Sequence, residues 1–178
     1  MRPNAQGWLS GVRQVVSPNH DARPAHMAIE LLVIHNISLP PNQYGGTEIE
    51  RFFTNKLDHS EHPYFAQLEG VRVSSHFLIR RDGQIVQFVP CTKRAWHAGV
   101  SSWRGRTRCN DFSIGIELEG GDFEPFTDRQ YKSLAMLTRR LRRLYPIVDI
   151  TGHSDIAPGR KTDPGPYFDW NGYLERLG

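Results

Sequence analysis

The sequence predicts an α/β fold in a single domain, 1–178, with a central mixed β-sheet flanked by helices. Short apolar runs of strand length alternate with segments of helical periodicity, but without the regularity of repeated strand–helix–strand units. The pair Asp82-Gly83 lies between two β-type runs and indicates an antiparallel hairpin. A period-two pattern from Asp111 to Gly120 indicates a strand with two different faces.

The first third of the chain predicts an arm, a strand and a helix. Residues 1–24 are rich in turn formers, and we expect an extended N-terminal arm packed on the domain. The apolar run Glu30 to Asn36 has the length of a buried strand. Thr47 and Glu50 match a capping box, which predicts a helix start. The apolar residues that would share one face of this helix are Ile49, Phe52, Phe53 and Leu57.

The remaining elements follow from the same two periodicities. In the strand after Asp111, Ile114, Ile116 and Leu118 would face one way, whereas Ser113, Gly115, Glu117 and Glu119 would face the other. Thr127 and Gln130 match a second capping box, at the start of a helix that Pro146 ends. The apolar stripe of this helix is Tyr131, Leu134, Leu137, Leu141 and Leu144. We expect a short strand over Ile147 to Thr151 and a closing helix over Trp170 to Leu177.

Composition argues against several classes of protein. No apolar run approaches the roughly 18 residues of a membrane span, and the N-terminus has no apolar core of a secretion signal. Two cysteines favour a reducing cytoplasm over a disulfide scaffold. The net charge of +3 is mild, and the basic run Arg139 to Arg143 lies in a helical pattern with no nucleic-acid module. We therefore expect a cytoplasmic protein with neither a nucleic-acid nor a membrane partner. A monomer is expected as well, although composition does not determine the oligomeric state.

Histidine and aspartate side chains sit where a metal could be bound. His35 and His153 follow predicted strands, and Asp163 lies in the segment GHSDIAPGRKTDPG, whose three glycines and two prolines predict an ordered loop rather than a regular helix or inner strand. Zinc is commonly bound by histidine nitrogen and carboxylate oxygen, with three protein ligands in a catalytic site. Hydrogen-bonded structural histidines are the alternative interpretation.

Two further charged residues have a possible chemical role. Glu117 lies beside Gly115 on the face of the strand opposite the apolar one, where it could act as a general base. The alternative is that this face is exposed to solvent and that Glu117 is a surface charge. Lys161, two residues before Asp163, could stabilise an oxyanion or could be a surface lysine.

Six stretches together carry a resemblance to a known family. They are LLVIHNISLPP, EHPYF, VRVSSHFLIRRDGQIVQFVP, RAWHAGVS, CNDFSIGIELEG and GHSDIAPGRKTDPG. With these, the chain resembles the AmpD-type amidases, which act on 1,6-anhydro-N-acetylmuramyl-L-alanine bonds in bacterial wall recycling. They belong to the zinc-dependent N-acetylmuramoyl-L-alanine amidase superfamily, as do the peptidoglycan recognition proteins.

The resemblance implies a role for ten residues. One Zn²⁺ would be held by His35, His153 and Asp163, with Glu117 as the catalytic acid and base and Lys161 as the stabiliser of the transition state. The residues implied to line the substrate groove are Asn36, Tyr64, Arg72, Trp96 and Arg108. Arg108 is chemically suited to a stem-peptide carboxylate, because a guanidinium binds carboxylate in bidentate fashion. Ser75 stands where many members of the superfamily have a catalytic tyrosine, which favours the AmpD branch.

The implied activity is zinc-dependent hydrolysis of the amide between (1,6-anhydro-)N-acetylmuramic acid and L-alanine, with anhydromuramyl peptides as substrates. Two alternatives stay open. One is an amidase of intact peptidoglycan, such as a phage endolysin. The other is a binding module that holds muropeptides without cleaving them, although such modules typically lose a zinc ligand and all three residues are present here.

Overall fold

The computed structural model describes residues 4–178, which form ten strands, five α-helices and a 3₁₀ turn at Cys109–Asp111. The strands are β1 (Arg13–Gln14), β2 (His20–Ala22), β3 (Leu31–Ile37), β4 (Phe77–Ile79), β5 (Ile85–Gln87), β6 (Lys93–Ala95), β7 (Ser102–Trp103), β8 (Arg106–Thr107), β9 (Ser113–Glu119) and β10 (Asp149–Gly152). The helices are α1 (Glu48–Phe53), α2 (Pro63–Ala66), α3 (Asp128–Leu144), α4 (His153–Ile156) and α5 (Trp170–Glu175).

Six strands form one mixed sheet in the order β1-β5-β4-β9-β3-β10. The hairpin strands β4 and β5 are antiparallel, as the Asp82-Gly83 pair predicts, and the other neighbouring strands are parallel. The central strand β9 is buried along its whole length, which is typical of parallel strands covered on both faces. The predicted mixed sheet flanked by helices is confirmed.

The two faces of β9 divide as its period-two pattern predicts. Ile114, Ile116 and Leu118 belong to the main core, which α3 covers with its apolar stripe. Ser113, Gly115, Glu117 and Glu119 face the other way, but they are buried as well. The alternative of a solvent-exposed face is therefore wrong, because loops and smaller helices cover this side of the sheet.

Of the two predicted capping boxes, the second is confirmed. The Thr127 side chain accepts from the Gln130 backbone N–H, and the Gln130 side chain accepts from the backbone N–H of Thr127. The first helix starts at Glu48 as predicted, but the Thr47 side chain makes no cap hydrogen bond, so this capping box does not form. Glu50 instead accepts hydrogen bonds from the guanidinium groups of Arg13 and Arg80. These charge-assisted bonds are stronger than the capping-box hydrogen bond from the Thr47 backbone N–H to the Glu50 side chain would be.

The N-terminal arm adds strands to two sheets. Its first three residues lie outside the described residues, β1 pairs with β5, and β2 pairs with β6. At the end of the arm, the guanidinium of the half-buried Arg23 donates to the backbone carbonyls of Cys91, Asn110, Asp111 and Ser113. Burial lowers the pKa of Arg23 to about 10. Arg23 thus joins the arm to the loops on the buried face of the sheet.

The C-terminal elements differ from expectation in their bounds. β10 begins two residues later than predicted and ends at Gly152, and α5 ends at Glu175. The glycine-rich and proline-rich segment was expected to exclude helix, but its start, His153–Ile156, forms the single helical turn α4. The turn ends before Pro158, since proline cannot continue a helix interior. Among residues 4–178, no helix is long and apolar enough to cross a membrane.

Candidate metal centre and groove

The site lies at the carboxyl ends of three parallel strands. In the register of the sheet, His35 of β3 is opposite Glu117 of β9, and Gly152, the last residue of β10, is opposite Ile34. His153 directly follows Gly152 and therefore lies at the level of His35. Parallel pairing thus brings together residues that are far apart in the chain, at the edge where α/β sheets commonly bind ligands.

Three side chains converge on one point. His35 Nδ1 lies 2.9 Å from His153 Nδ1, and each nitrogen lies 3.0 Å from Asp163 Oδ2. Both histidines are buried and Asp163 is half-buried. The structure therefore brings together the two predicted histidine ligands and the predicted aspartate ligand, as a group that could hold a metal ion.

The chemistry of these donors fits a divalent cation. The outer nitrogen of His153, Nε2, lies 3.1 Å from the backbone carbonyl of Ala98, which can only accept, so Nε2 carries the proton and Nδ1 of the neutral ring presents a lone pair. Burial lowers the pKa of His35 to about 4, which keeps that ring neutral. For Asp163, burial alone would raise the pKa, but the close approach of the His153 and His35 rings outweighs burial and holds the pKa of this carboxyl below its usual value.

The spacing of the donors also suits zinc. A tetrahedral Zn²⁺ with bonds of about 2.0–2.1 Å separates its ligand atoms by about 3.3 Å. The three separations here are 2.9–3.0 Å, so small side-chain adjustments would accommodate the ion. Two imidazoles and one carboxylate with an open fourth position are typical of a catalytic zinc site.

Glu117 is a buried carboxyl beside the metal ligands. Its side chain faces the groove, and its Oε2 has no hydrogen-bond partner among residues 4–178. Burial, with the charge of Asp163 adding to it, raises the pKa of Glu117 well above its usual value, and the positive charge of Lys161 opposes this shift. A buried carboxyl with a free oxygen and a raised pKa is suited to proton transfer.

Lys161 lies on the rim of the same groove. It is exposed, and no ion pair holds it within the described part of the chain. Its ammonium group acts on the pKa values of both Glu117 and His35, so its charge reaches the centre of the site. It could stabilise a negative charge that develops there.

The groove has a volume of about 430 Å³ and contains three of the five predicted groove residues: Asn36, Tyr64 and Trp96. The Asn36 amide also donates to Asp122 Oδ1 and to the Pro164 carbonyl. Arg72 and Arg108 are not among the described residues that line the groove, and both are exposed. Arg108 instead pairs with Asp111 at 3.2 Å.

Asp122 and His97 were missed as contributors to the site. Asp122 accepts from Asn36 Nδ2 at 2.8 Å and from Thr162 Oγ1 at 2.6 Å, and thereby joins the neighbours of two metal ligands. Its position in the loop after β9 has no sequence pattern that could have indicated this role. His97 lies in the stretch RAWHAGVS without an assigned role, and its Nδ1 lies 2.9 Å from His35 Nε2.

His76 has structural contacts rather than a place in the metal centre. Its Nδ1 accepts from the Gly115 backbone N–H, and its Nε2 lies near the Lys93 carbonyl and the Arg23 guanidinium. Burial, reinforced by the charge of Arg23, lowers the pKa of His76 well below its usual value. A neutral His76 thus helps to hold β9 at Gly115.

Comparison with known proteins identifies the family. The model of the N-acetylmuramoyl-L-alanine amidase family matches residues 25–166, which include all three candidate metal ligands and Glu117. The chain belongs to this amidase family. The predicted family and the predicted class of enzyme are both confirmed.

Two amidase relatives are similar over nearly the whole chain. The 1,6-anhydro-N-acetylmuramyl-L-alanine amidase AmpD of Escherichia coli (strain K12) is 60% identical over 167 residues, which cover 93% of this amidase and 91% of that protein. A crystal structure of a selenomethionine derivative of AmpD superimposes with a TM-score of 0.96 at 55% identity, with 100% of both chains covered.

A third relative was solved with a substrate. The N-acetylmuramyl-L-alanine amidase AmiD of E. coli, in complex with anhydro-N-acetylmuramic acid-L-Ala-D-gamma-Glu-L-Lys, superimposes with a TM-score of 0.62 at 34% identity. The match covers 86% of this amidase and 60% of that chain.

Proposed function

We propose that this amidase hydrolyses the amide bond between 1,6-anhydro-N-acetylmuramic acid and the L-alanine of a stem peptide, and that its cofactor is one Zn²⁺. The observation that carries the proposal is the buried Glu117 carboxyl beside the convergent donors of His35, His153 and Asp163 on the floor of a groove. The high identity with AmpD of E. coli supports the choice of the anhydromuramyl substrate.

The cofactor would be held by His35 Nδ1, His153 Nδ1 and Asp163 Oδ2. When bound there, Zn²⁺ supplies a Lewis acid that activates water and polarises a carbonyl oxygen. The donor set supports this choice, since nitrogen and carboxylate ligands with an open position favour zinc in hydrolases.

Glu117 moves the proton. Its carboxylate accepts a proton from the attacking water while the lactyl carbonyl of the substrate becomes tetrahedral. The same carboxyl then donates that proton to the departing alanine nitrogen, so that the amine leaves in neutral form. Burial makes the Glu117 carboxylate a stronger base than an exposed glutamate, which favours the first of these steps.

Lys161 stabilises the charge on the tetrahedral oxygen. Its ammonium group is free to turn into the groove from the rim, and a cation there favours the oxyanion over the neutral carbonyl. Asn36, Tyr64 and Trp96 bind the muramyl and peptide parts of the substrate along the groove walls. Arg72 and Arg108 do not line the groove, and a contact of either with the stem peptide stays a prediction.

The proposal places the reaction in cytoplasmic recycling of peptidoglycan, with the enzyme acting as a monomer. The two cysteines, Cys91 and Cys109, are unpaired and buried, which supports a reducing compartment. The E. coli relative named for the anhydro substrate supports recycling over digestion of the intact wall.

Mass spectrometry of reaction products tests the substrate. Purified zinc-loaded enzyme would be offered anhydromuramyl tripeptide, the same compound with a reduced muramic acid ring, and intact sacculi, each with and without a chelator. We expect chelator-sensitive release of tripeptide chiefly from the anhydro compound. Cleavage mainly of sacculi would assign the enzyme to the lytic amidases, and binding without cleavage would make it a recognition module.

The variant Glu117→Gln tests the proton transfer. We expect kcat to fall by about 10²- to 10⁴-fold, the usual contribution of a general acid–base group, with zinc content unchanged. Glu175→Gln, at an exposed position in α5, is the matched control and should retain full activity. A fully active Glu117→Gln variant would contradict the assigned role.

A further inference from the structure

The outer nitrogens of both histidine ligands end on two consecutive residues of one loop. His35 Nε2 lies 2.9 Å from His97 Nδ1, and His153 Nε2 lies 3.1 Å from the carbonyl oxygen of Ala98. The loop that contains His97 and Ala98 lies between β6 and β7 and contributes no ligand of its own. Both imidazole rings are therefore oriented from the same short segment.

The His97 ring is enclosed on several sides. Its Nε2 lies 3.1 Å from the buried hydroxyl of Ser113, and its Nδ1 faces His35. Below the ring is Gly115 of β9, where an added Cβ would lie 2.5 Å from His97 Cγ. The absence of a side chain at Gly115 leaves the space that the His97 ring fills.

One side-chain oxygen holds the backbone of this segment. Asn110 Oδ1 accepts from the backbone N–H of His97 at 3.1 Å and from the backbone N–H of Ala98 at 2.8 Å. Asn110 itself lies in the 3₁₀ turn Cys109–Asp111, and its carbonyl accepts from the half-buried Arg23 guanidinium. A chain of contacts thus leads from the protein core to the two histidine ligands.

We propose that Asn110 and His97 are positioning residues of the metal centre: Asn110 holds the His97–Ala98 segment, which accepts the Nε2 protons of His35 and His153 and so directs both Nδ1 lone pairs to the metal. The inference rests on the proposed metal centre and extends it beyond the three ligands. For His35, the inference assigns the Ser113 hydroxyl as the acceptor of the His97 Nε2 proton, which leaves His97 Nδ1 as the acceptor for the His35 proton. Outer contacts of this kind fix the tautomer and orientation of a histidine ligand.

The first test measures the affinity for Zn²⁺ alone, by competition with a fluorescent chelator. We expect Asn110→Ala and His97→Phe to bind Zn²⁺ about 10- to 100-fold more weakly, the usual effect of losing such an outer contact. Asn110→Asp keeps an oxygen acceptor at the same position and should stay within about threefold of the parent.

Thr138→Val is the matched control for stability. It removes a buried hydrogen bond with the Tyr173 hydroxyl, between α3 and α5, so it should lower the free energy of unfolding without changing the Zn²⁺ affinity. The Co²⁺-loaded variants give a second measurement, since their visible absorption reports the geometry of the ligands. We expect altered spectra for Asn110→Ala and His97→Phe, and parent-like spectra for Asn110→Asp and Thr138→Val.

The outcomes separate the inference from the proposed function. If the parent protein binds no Zn²⁺, or if His153→Ala binds it equally well, the metal centre itself is wrong. If the parent binds Zn²⁺ and the Asn110→Ala and His97→Phe variants bind it with unchanged affinity, the positioning role is overturned and the metal centre stands.

The second test observes the protons directly and needs no variant. In the zinc-loaded protein with ¹⁵N-labelled histidine, long-range ¹H–¹⁵N correlation spectra distinguish the two ring tautomers. We expect His35, His153 and His97 to be protonated on Nε2, with His97 Nδ1 unprotonated. A proton on His97 Nδ1 would overturn the inferred direction of the hydrogen bond with His35.

Discussion

Gly115→Ala is a small substitution with a large expected effect. Gly115 lies in the centre of the buried strand β9, and a Cβ there would lie 2.5, 2.7 and 2.8 Å from Cγ, Nδ1 and Cδ2 of His97. Ordinary van der Waals contact begins at 3.4 Å, so the ring would have to move by about 0.9 Å. A displacement of that size along the hydrogen bond would take His97 Nδ1 out of hydrogen-bonding distance from His35 Nε2, now 2.9 Å away.

The magnitude follows from two opposing contributions. Overpacking of a close-packed interior costs about 1–3 kcal/mol. Alanine in place of glycine recovers about 0.5–1 kcal/mol by reducing the entropy of the unfolded chain. The midpoints of these ranges give a net loss of about 1.3 kcal/mol in the free energy of unfolding, or about 3–5 °C in Tm for a domain of this size. Zn²⁺ binding should weaken by about tenfold or more, because the orientation of His35 is lost.

Thermal unfolding of the metal-free protein and chelator competition for Zn²⁺ provide the two measurements. A double-mutant cycle with His97→Ala identifies the cause, because the alanine side chain removes the ring that the new Cβ would meet. The cost of Gly115→Ala should then largely disappear, with a coupling energy of at least about 1 kcal/mol. Strictly additive effects, within about 0.5 kcal/mol, would refute the steric argument, and so would an unchanged Zn²⁺ affinity in the single variant.

Two further predictions concern charge. Lys161→Met should lower kcat by about 10²- to 10³-fold with little change in KM, because it removes a cation that stabilises the oxyanion. The control Lys132→Met, at an exposed position in α3, should leave both constants unchanged. Equal kinetics of the two variants would contradict the role of Lys161. In the metal-free protein, burial lowers the pKa of His35 to about 4 and the pKa values of His76 and His97 well below 6.5, so these rings stay neutral in the folded state while the unfolded chain takes up protons below pH 6.5. The free energy of unfolding should therefore fall on acidification from pH 6.5 to 5.5, by up to about 1.4 kcal/mol per histidine. Glu117 acts in the opposite direction, because its raised pKa lets the folded state bind one proton before the unfolded chain does. Urea unfolding in the presence of a chelator measures this slope, and a flat profile would contradict it.

The sequence determined the elements whose signals are local. The Asp82-Gly83 hairpin, the capping box at Thr127 and the two faces of β9 all appear in the structure as predicted. Each depends on residues a few positions apart, so periodicity and turn chemistry are enough to find it. The residue types of His35, His153 and Asp163, each next to a strand end or in a rigid loop, likewise indicated a metal before any tertiary contact was known.

Tertiary structure decided which polar groups meet. At the start of α1, Arg13 and Arg80 reach Glu50 from other parts of the chain, and no local rule could show that the capping box would lose this competition. Arg72 and Arg108 do not line the groove, although Val71 and Val73 on either side of Arg72 do, and a sequence pattern does not show which side chains of such a segment face the groove.

The support of the metal centre depends most on the tertiary fold. His97 fits against β9 because of the glycine at position 115, and Asn110 reaches the His97–Ala98 segment from a 3₁₀ turn more than ten residues further along the chain. These contacts result from the register of parallel strands, which places His35 opposite Glu117 although 82 positions separate them. A sequence pattern identifies the ligands by their chemistry, but parallel pairing across long separations determines what holds them, since nothing in the local sequence encodes the register.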